Sequence, residues 1–122
     1  NKLFEIKHNS IKTICSHVNI RTNIIISSTL EIRSELRSTQ KVLSICKVLE
    51  ADTYINPLGG TGLYSKKEFN ENAINLFFIK SGDIYYKQFD HEFVPLLSIL
   101  DVMMFNPKDV ISKLINMEYS LI

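Results

Sequence analysis

A carboxylate in an otherwise apolar stretch is the first residue whose chemistry stands out. Asp101 interrupts Val94 to Phe105, a segment where Ser98 is the only other polar side chain. A carboxylate is costly to bury unless it is paired or hydrogen-bonded, and such groups acquire perturbed proton affinities. Asp101 is therefore the candidate catalytic residue, as a general base. The competing reading is a structural carboxylate that caps a loop or pairs with Lys87 or Arg37. The second candidate is Asn56-Pro57-Leu58-Gly59-Gly60-Thr61-Gly62, followed by Tyr64 and Ser65. Glycines admit positive φ and let backbone N–H groups approach an anion, and a following helix adds favourable potential for phosphate. Asn56, Gly59, Gly60, Thr61, Gly62, Tyr64 and Ser65 are thus candidate ligand contacts. The spacing is neither a P-loop nor the dinucleotide fingerprint, and a plain turn would read the same way. Lys87 and Gln88, after the aromatic pair Tyr85-Tyr86, are further candidate contacts for a phosphate or a sugar. Their competing reading is as solvated edge residues.

Other reactive side chains lack companions. Cys15 and Cys46 each fall in an apolar helical stripe, away from any CxxC or His-rich spacing, which predicts two buried, reduced and unconnected thiols. His8, His17 and His91 have no metal-ligand partner at usable spacing, so no metal is expected, and no cofactor motif is present.

Periodicity supplies the elements that must position these groups. Ile11, Ile14, Cys15 and Val18 repeat at i, i+3, i+4 and i+7, predicting a helix over about residues 4–18. Asn23 to Ser28, with three consecutive isoleucines, predicts a buried parallel strand, because β-branched side chains lose χ1 freedom in helices. Val42, Ile45, Cys46 and Leu49 predict a second helix, with Ser38 as N-cap and Glu50-Ala51-Asp52 as the exit. Thr53 to Asn56 and Asn75 to Ile79 are short β-favouring segments on either side of the glycine loop and a short helix near residues 66–72. Strand, helix, strand, helix, strand is an α/β order, and helical crossovers return the chain parallel to its previous strand. The expected fold is a small, three-stranded, mostly parallel sheet with flanking helices, and Ile84 to Phe89 is a further edge strand. Val94 to Phe105 predicts a buried helix that starts at Pro95. Asn106-Pro107 predicts a last helix with Asn106 as N-cap, Asp109 at its positive end and Ile111, Leu114 and Ile115 as anchors.

The 122 residues suit one domain of average globular composition, 45% hydrophobic and 22% charged. The formal net charge is only +1, with both signs interleaved, which disfavours a nucleic-acid partner. The longest apolar runs are too short to span a bilayer, and the first residues carry no signal-peptide pattern, leaving the cytoplasm as the expected location. The chain opens on Asn1 rather than Met, which predicts a trimmed chain.

From Arg37 onward, Ser38 to Leu49 and Thr53-Tyr54-Ile55-Asn56-Pro57-Leu58-Gly59-Gly60-Thr61-Gly62-Leu63-Tyr64 resemble the WbqC-like protein family. Tyr86-Lys87-Gln88-Phe89, Phe93-Val94-Pro95 and Leu97 to Asn106 resemble the family's closing motifs in order and spacing. Glu50 stands where the family usually has glycine, and Leu97 where tryptophan is common. The resemblance implies the C-terminal half of a WbqC-like protein, with a role in O-antigen or related bacterial surface-polysaccharide biosynthesis. It further implies acyl or aminoacyl transfer to a nucleotide-linked amino sugar, with a nucleotide sugar or other phosphate-bearing small molecule as partner. Two alternatives stay open. One is a non-catalytic binding or assembly module that uses Tyr64, Tyr86 and Phe89. The other is a structural remnant of a larger protein that associates with itself or with a missing N-terminal half.

Overall fold

The computed structural model describes residues 2–122. Its elements are α1 (Lys2–His17), α2 (Ser38–Val48), β1 (Thr53–Pro57), α3 (Lys66–Glu71), β2 (Asn75–Ser81), α4 (Ile99–Phe105), α5 (Lys108–Met117) and β3 (Tyr119–Leu121). The α/β class, the three-stranded sheet and the two C-terminal helices match the sequence expectation. The chain divides into two compact units, one of residues 1–24 with 82–119 and the other of residues 25–81 with 120–122.

The second unit holds the sheet. β1 pairs parallel with β2 in the register Thr53↔Asn75 to Pro57↔Ile79, and the order is β1-β2-β3. Phe78 and Ile122 exchange both backbone hydrogen bonds, at 2.8 and 3.0 Å, the signature of an antiparallel pair. The sheet is therefore mixed. Its core comprises Leu43, Cys46, Phe69, Ile74, Leu76 and Phe78, with Val42, Ala51, Tyr54 and Tyr64 packed against it. Alternation explains the strand's contribution: Leu76 and Phe78 are buried while Asn75 and Ile79 are exposed.

The strand expected over Asn23 to Ser28 does not form. Ile24 and Ile25 are exposed, and Ser27–Thr29 is a 3₁₀ turn. β-branched composition marks what a strand tolerates and does not by itself supply a pairing partner, and these isoleucines pair with no strand of the sheet.

In the first unit, Val18 and Ile111 are the buried apolar residues, and α4 contacts α5. α1 contributes no fully buried residue of its own, and Leu3, Phe4, Ile6 and Ile11 are exposed. The helix expected from Pro95 instead begins at Ile99 behind Ser98, whose hydroxyl accepts the Leu100 N–H at 3.2 Å. Burial there is also less than the composition suggests, since Leu96, Leu97, Leu100 and Met104 are exposed. Asn106 is not the N-cap of α5. It ends α4, where its Nδ2 donates to the Val102 carbonyl at 2.9 Å, and Pro107 precedes Lys108 without a side-chain cap. Likewise Ser38 is the first residue of α2 rather than its cap, and Arg37 in the cap position supplies no side-chain bond.

Three helices end in the same way. After α1, α2 and α3, the residues Asn19, Glu50 and Ala73 take φ of 60°, 52° and 58°. In each case the next amide reaches back five residues: Ile20 to Cys15 at 2.8 Å, Ala51 to Cys46 at 2.8 Å and Ile74 to Phe69 at 3.0 Å. These are Schellman closures, which satisfy the last carbonyls of a helix and bring an apolar side chain back onto it. Ile74 and Phe69, joined by one such closure, both belong to the core.

Candidate functional site

Asp101 sits in the first turn of α4, where the helix's positive end favours a carboxylate. It is half-buried, and its Oδ2 accepts two hydrogen bonds: from the Tyr86 hydroxyl at 2.6 Å and from Gln88 Nε2 at 2.9 Å. Gln88 is itself anchored at both ends, because Nε2 also donates to the Val94 carbonyl at 3.1 Å and Oε1 accepts the Val94 N–H at 2.8 Å. The side-chain amide thus pairs with one backbone residue as a strand partner would. Oδ1 of Asp101 accepts no hydrogen bond among the described residues. It also reaches solvent, since no described buried side-chain oxygen lacks a partner.

Neither cation that the sequence offered as a partner for Asp101 is one. Lys87 lies 4.0 Å from Asp90 with both side chains almost fully exposed, and Arg37 donates to the carbonyls of Ser34 and Leu36. Lys87 is therefore a solvated surface cation, and Gln88 contacts Asp101 rather than standing apart from it.

Tyr86 ties this carboxylate to an aromatic cluster. Tyr86 meets Phe93 edge-to-face at 5.3 Å and lies 6.4 Å from Phe105, while Phe89 meets Phe105 edge-to-face at 4.8 Å. Tyr85 leans on Phe93 at 5.3 Å with its other face open. No ladder forms over Ile84 to Phe89, so the expected edge strand is absent. The strand-like alternation survives nonetheless: Ile84, Tyr86 and Gln88 are half-buried, while Tyr85, Lys87 and Phe89 are exposed. That alternation sends Tyr86 and Gln88 to the same side and so to the same carboxylate. The Tyr86 phenol is held above its usual pKa, by burial first and then by donating to Asp101, which prefers the protonated phenol.

The glycine loop lies in the other unit. Leu58–Gly60 is a 3₁₀ turn, and the loop closes through Thr61 N–H to Leu58 O at 3.2 Å and Leu63 N–H to Gly60 O at 2.9 Å. No described glycine has positive φ, so the conformational reason for glycine expected from the sequence does not operate here. Gly60 is needed for space instead. A Cβ there would lie 1.8 Å from Asn56 Nδ2, whereas Cβ atoms on Gly59 or Gly62 would meet nothing within 4 Å.

The Asn56 side chain is occupied by its neighbours: Oδ1 accepts the Tyr54 hydroxyl at 3.0 Å and Nδ2 donates to Pro57 O at 3.3 Å. Tyr54 stacks on Phe69 at 5.5 Å, and Tyr64 is edge-on to both Tyr54 and Phe69 at 5.8 Å, which makes Tyr64 part of the packed interior. The Tyr54 phenol is pushed up to about 12, by burial first and then by the neighbouring Tyr64. Ser65 stands in the cap position of α3 but makes no side-chain cap bond, and Gly59, Thr61 and Gly62 are exposed.

Sequence reasoning offered Tyr86 only as part of a partner surface and did not single out Tyr54. Each lies two residues before a polar residue that was identified, Gln88 and Asn56, and the period of two was the signal that could have found them. Cys46 is buried, which raises its thiol pKa, whereas Cys15 is only half-buried, against the expectation of two buried thiols, because its own helix α1 buries none of its residues fully. Among the described residues no helix is long and apolar enough to cross a membrane.

These observations define a small α/β protein with a candidate polar site at Asp101, joined through Tyr86 to an aromatic cluster. The chain belongs to the WbqC-like protein family, which matches residues 1–113. No curated protein and no solved structure matches it.

Proposed function

We propose that the chain acts in bacterial O-antigen or related surface-polysaccharide biosynthesis by binding a nucleotide-linked amino sugar, with Asp101 receiving the sugar's amino group. The observation that carries this reading is the Asp101 carboxylate itself, fixed through Oδ2 by Tyr86 and Gln88 while Oδ1 remains open. The exposed faces of Tyr85 and Phe89 add apolar surface suited to the C–H faces of a sugar. In an acyl or aminoacyl transfer, the sugar nitrogen forms the new C–N bond and the donor's leaving group departs with the electron pair. Two protons leave the nitrogen between ammonium and amide: Asp101 takes one, and the departing group takes the other together with the electron pair. The loop from Asn56 to Ser65, which belongs to the other unit, is proposed separately as a contact for a phosphate-bearing ligand through its own backbone N–H groups.

Titration with uridine diphosphate glucosamine tests both assignments. Asp101→Asn is expected to weaken binding about tenfold, the scale of one charge-assisted hydrogen bond, while Asp90→Asn leaves it unchanged. Gly60→Val should abolish the response of the loop amides and Thr61→Ser should keep it. Equal affinity for wild type and Asp101→Asn overturns the amino-group assignment.

A second reading, a non-catalytic assembly module, is favoured by the exposed Leu3, Phe4, Ile6 and Ile11 of α1. It predicts a protein partner and no sugar binding.

A further inference from the structure

The bracket around Asp101 also bears on which chemical group the site accepts. A carboxylate has two oxygens, and a planar guanidinium recognises both at once through two parallel N–H donors. Here Oδ2 already accepts from the Tyr86 hydroxyl at 2.6 Å and from Gln88 Nε2 at 2.9 Å, which occupies its two lone-pair directions. The Gln88 amide cannot turn away without breaking its two bonds to Val94, at 2.8 and 3.1 Å. Tyr86 is similarly held by its ring contacts to Phe93 and Phe105.

We infer that Tyr86 and Gln88 are specificity-determining positioning residues: by saturating Oδ2, they make Asp101 a single-acceptor site that suits a primary ammonium, which can aim one N–H at Oδ1, and denies a forked guanidinium its paired contact. This inference rests on Asp101 facing the substrate. Gln88, which the sequence offered as a ligand contact, acts through Asp101 instead. Its amide form is required, because a glutamate there would place a second carboxylate against the first and lose the donor.

The test compares two probes on the full-length chain by NMR titration: glucosamine, and the derivative whose amine is converted to a guanidino group. In wild type the guanidino probe should gain nothing over glucosamine, since each makes one charge-assisted bond to Oδ1. Tyr86→Phe keeps the ring contacts and removes only the hydroxyl, while Gln88→Leu removes the amide. Each should shift the ratio toward the guanidino probe, and the double variant should favour that probe by about tenfold, the worth of the second charge-assisted bond. A purely structural role would lower affinity for both probes together and leave their ratio unchanged, and that result overturns the inference. Asp101→Asn separates the two levels of the argument. If it binds glucosamine as wild type does, the substrate-facing reading itself fails. If it loses binding while the single and double variants keep the wild-type ratio, only the positioning inference fails.

Discussion

Glu50 carries φ of 52° at the end of α2, in the left-handed region where a Cβ crowds the following carbonyl. The Schellman closure there needs that conformation, and the resemblance to WbqC-like sequences expects a glycine at this position. Glycine would remove a penalty of roughly 1–2 kcal/mol and give back about 0.4–1 kcal/mol through the freer unfolded chain. Glu50→Gly is accordingly expected to stabilise by about 1 kcal/mol, read as a higher denaturation midpoint at constant slope. An unchanged or lower midpoint would show that this closure carries no strain. Residue type alone gives no sign of the conformation, because glutamate and alanine, at Glu50 and Ala73, rarely occupy it. Asp101 was legible for the opposite reason: an ionisable group among apolar neighbours advertises that something must satisfy it. Its partners were harder to foresee, since a charged residue suggests a cation and the structure supplies a phenol and an amide.

At the scale of elements, the glycine loop separates two uses of glycine that a sequence cannot distinguish. None of its glycines needs positive φ, and only Gly60 has a neighbour where its Cβ would be. Gly60→Ala should therefore cost roughly 1–3 kcal/mol by forcing Asn56 off Tyr54, as overpacking does. Gly59→Ala and Gly62→Ala should be neutral or stabilising by up to about 1 kcal/mol, since they only restrict the unfolded chain. Thermal melts of the three variants check this, and equal losses at all three positions would contradict the assignment of Gly60. The helices were readable where an apolar stripe meets a real core, as in α2 with Leu43 and Cys46 buried. Strands were readable for β1 and β2, which flank the same short crossover. The run Ile24 to Ile26 misled because strand propensity says what a residue tolerates, not whether a partner is available. β3 was unreadable for the converse reason: three exposed residues, Tyr119 to Leu121, have no burial pattern, and pairing with β2 defines them.

At the scale of the whole molecule, the α/β order follows from the sequence, because two β-favouring segments joined by a short helix admit few arrangements. The site follows less directly. Its groups lie on an irregular segment, where Gln88 pairs with Val94 through a side chain instead of a ladder, and on a helix that begins only at Ile99. The chain is a WbqC-like protein, and the open oxygen of Asp101 gives the proposed function a specific atom. The most direct measurement is a structure of the chain with uridine diphosphate glucosamine bound. The sugar nitrogen is expected within about 2.7–3.2 Å of Asp101 Oδ1, with the Tyr86 and Gln88 bonds to Oδ2 intact. A sugar bound away from Asp101, or one that displaces Tyr86 and Gln88 to reach Oδ2, would contradict that expectation.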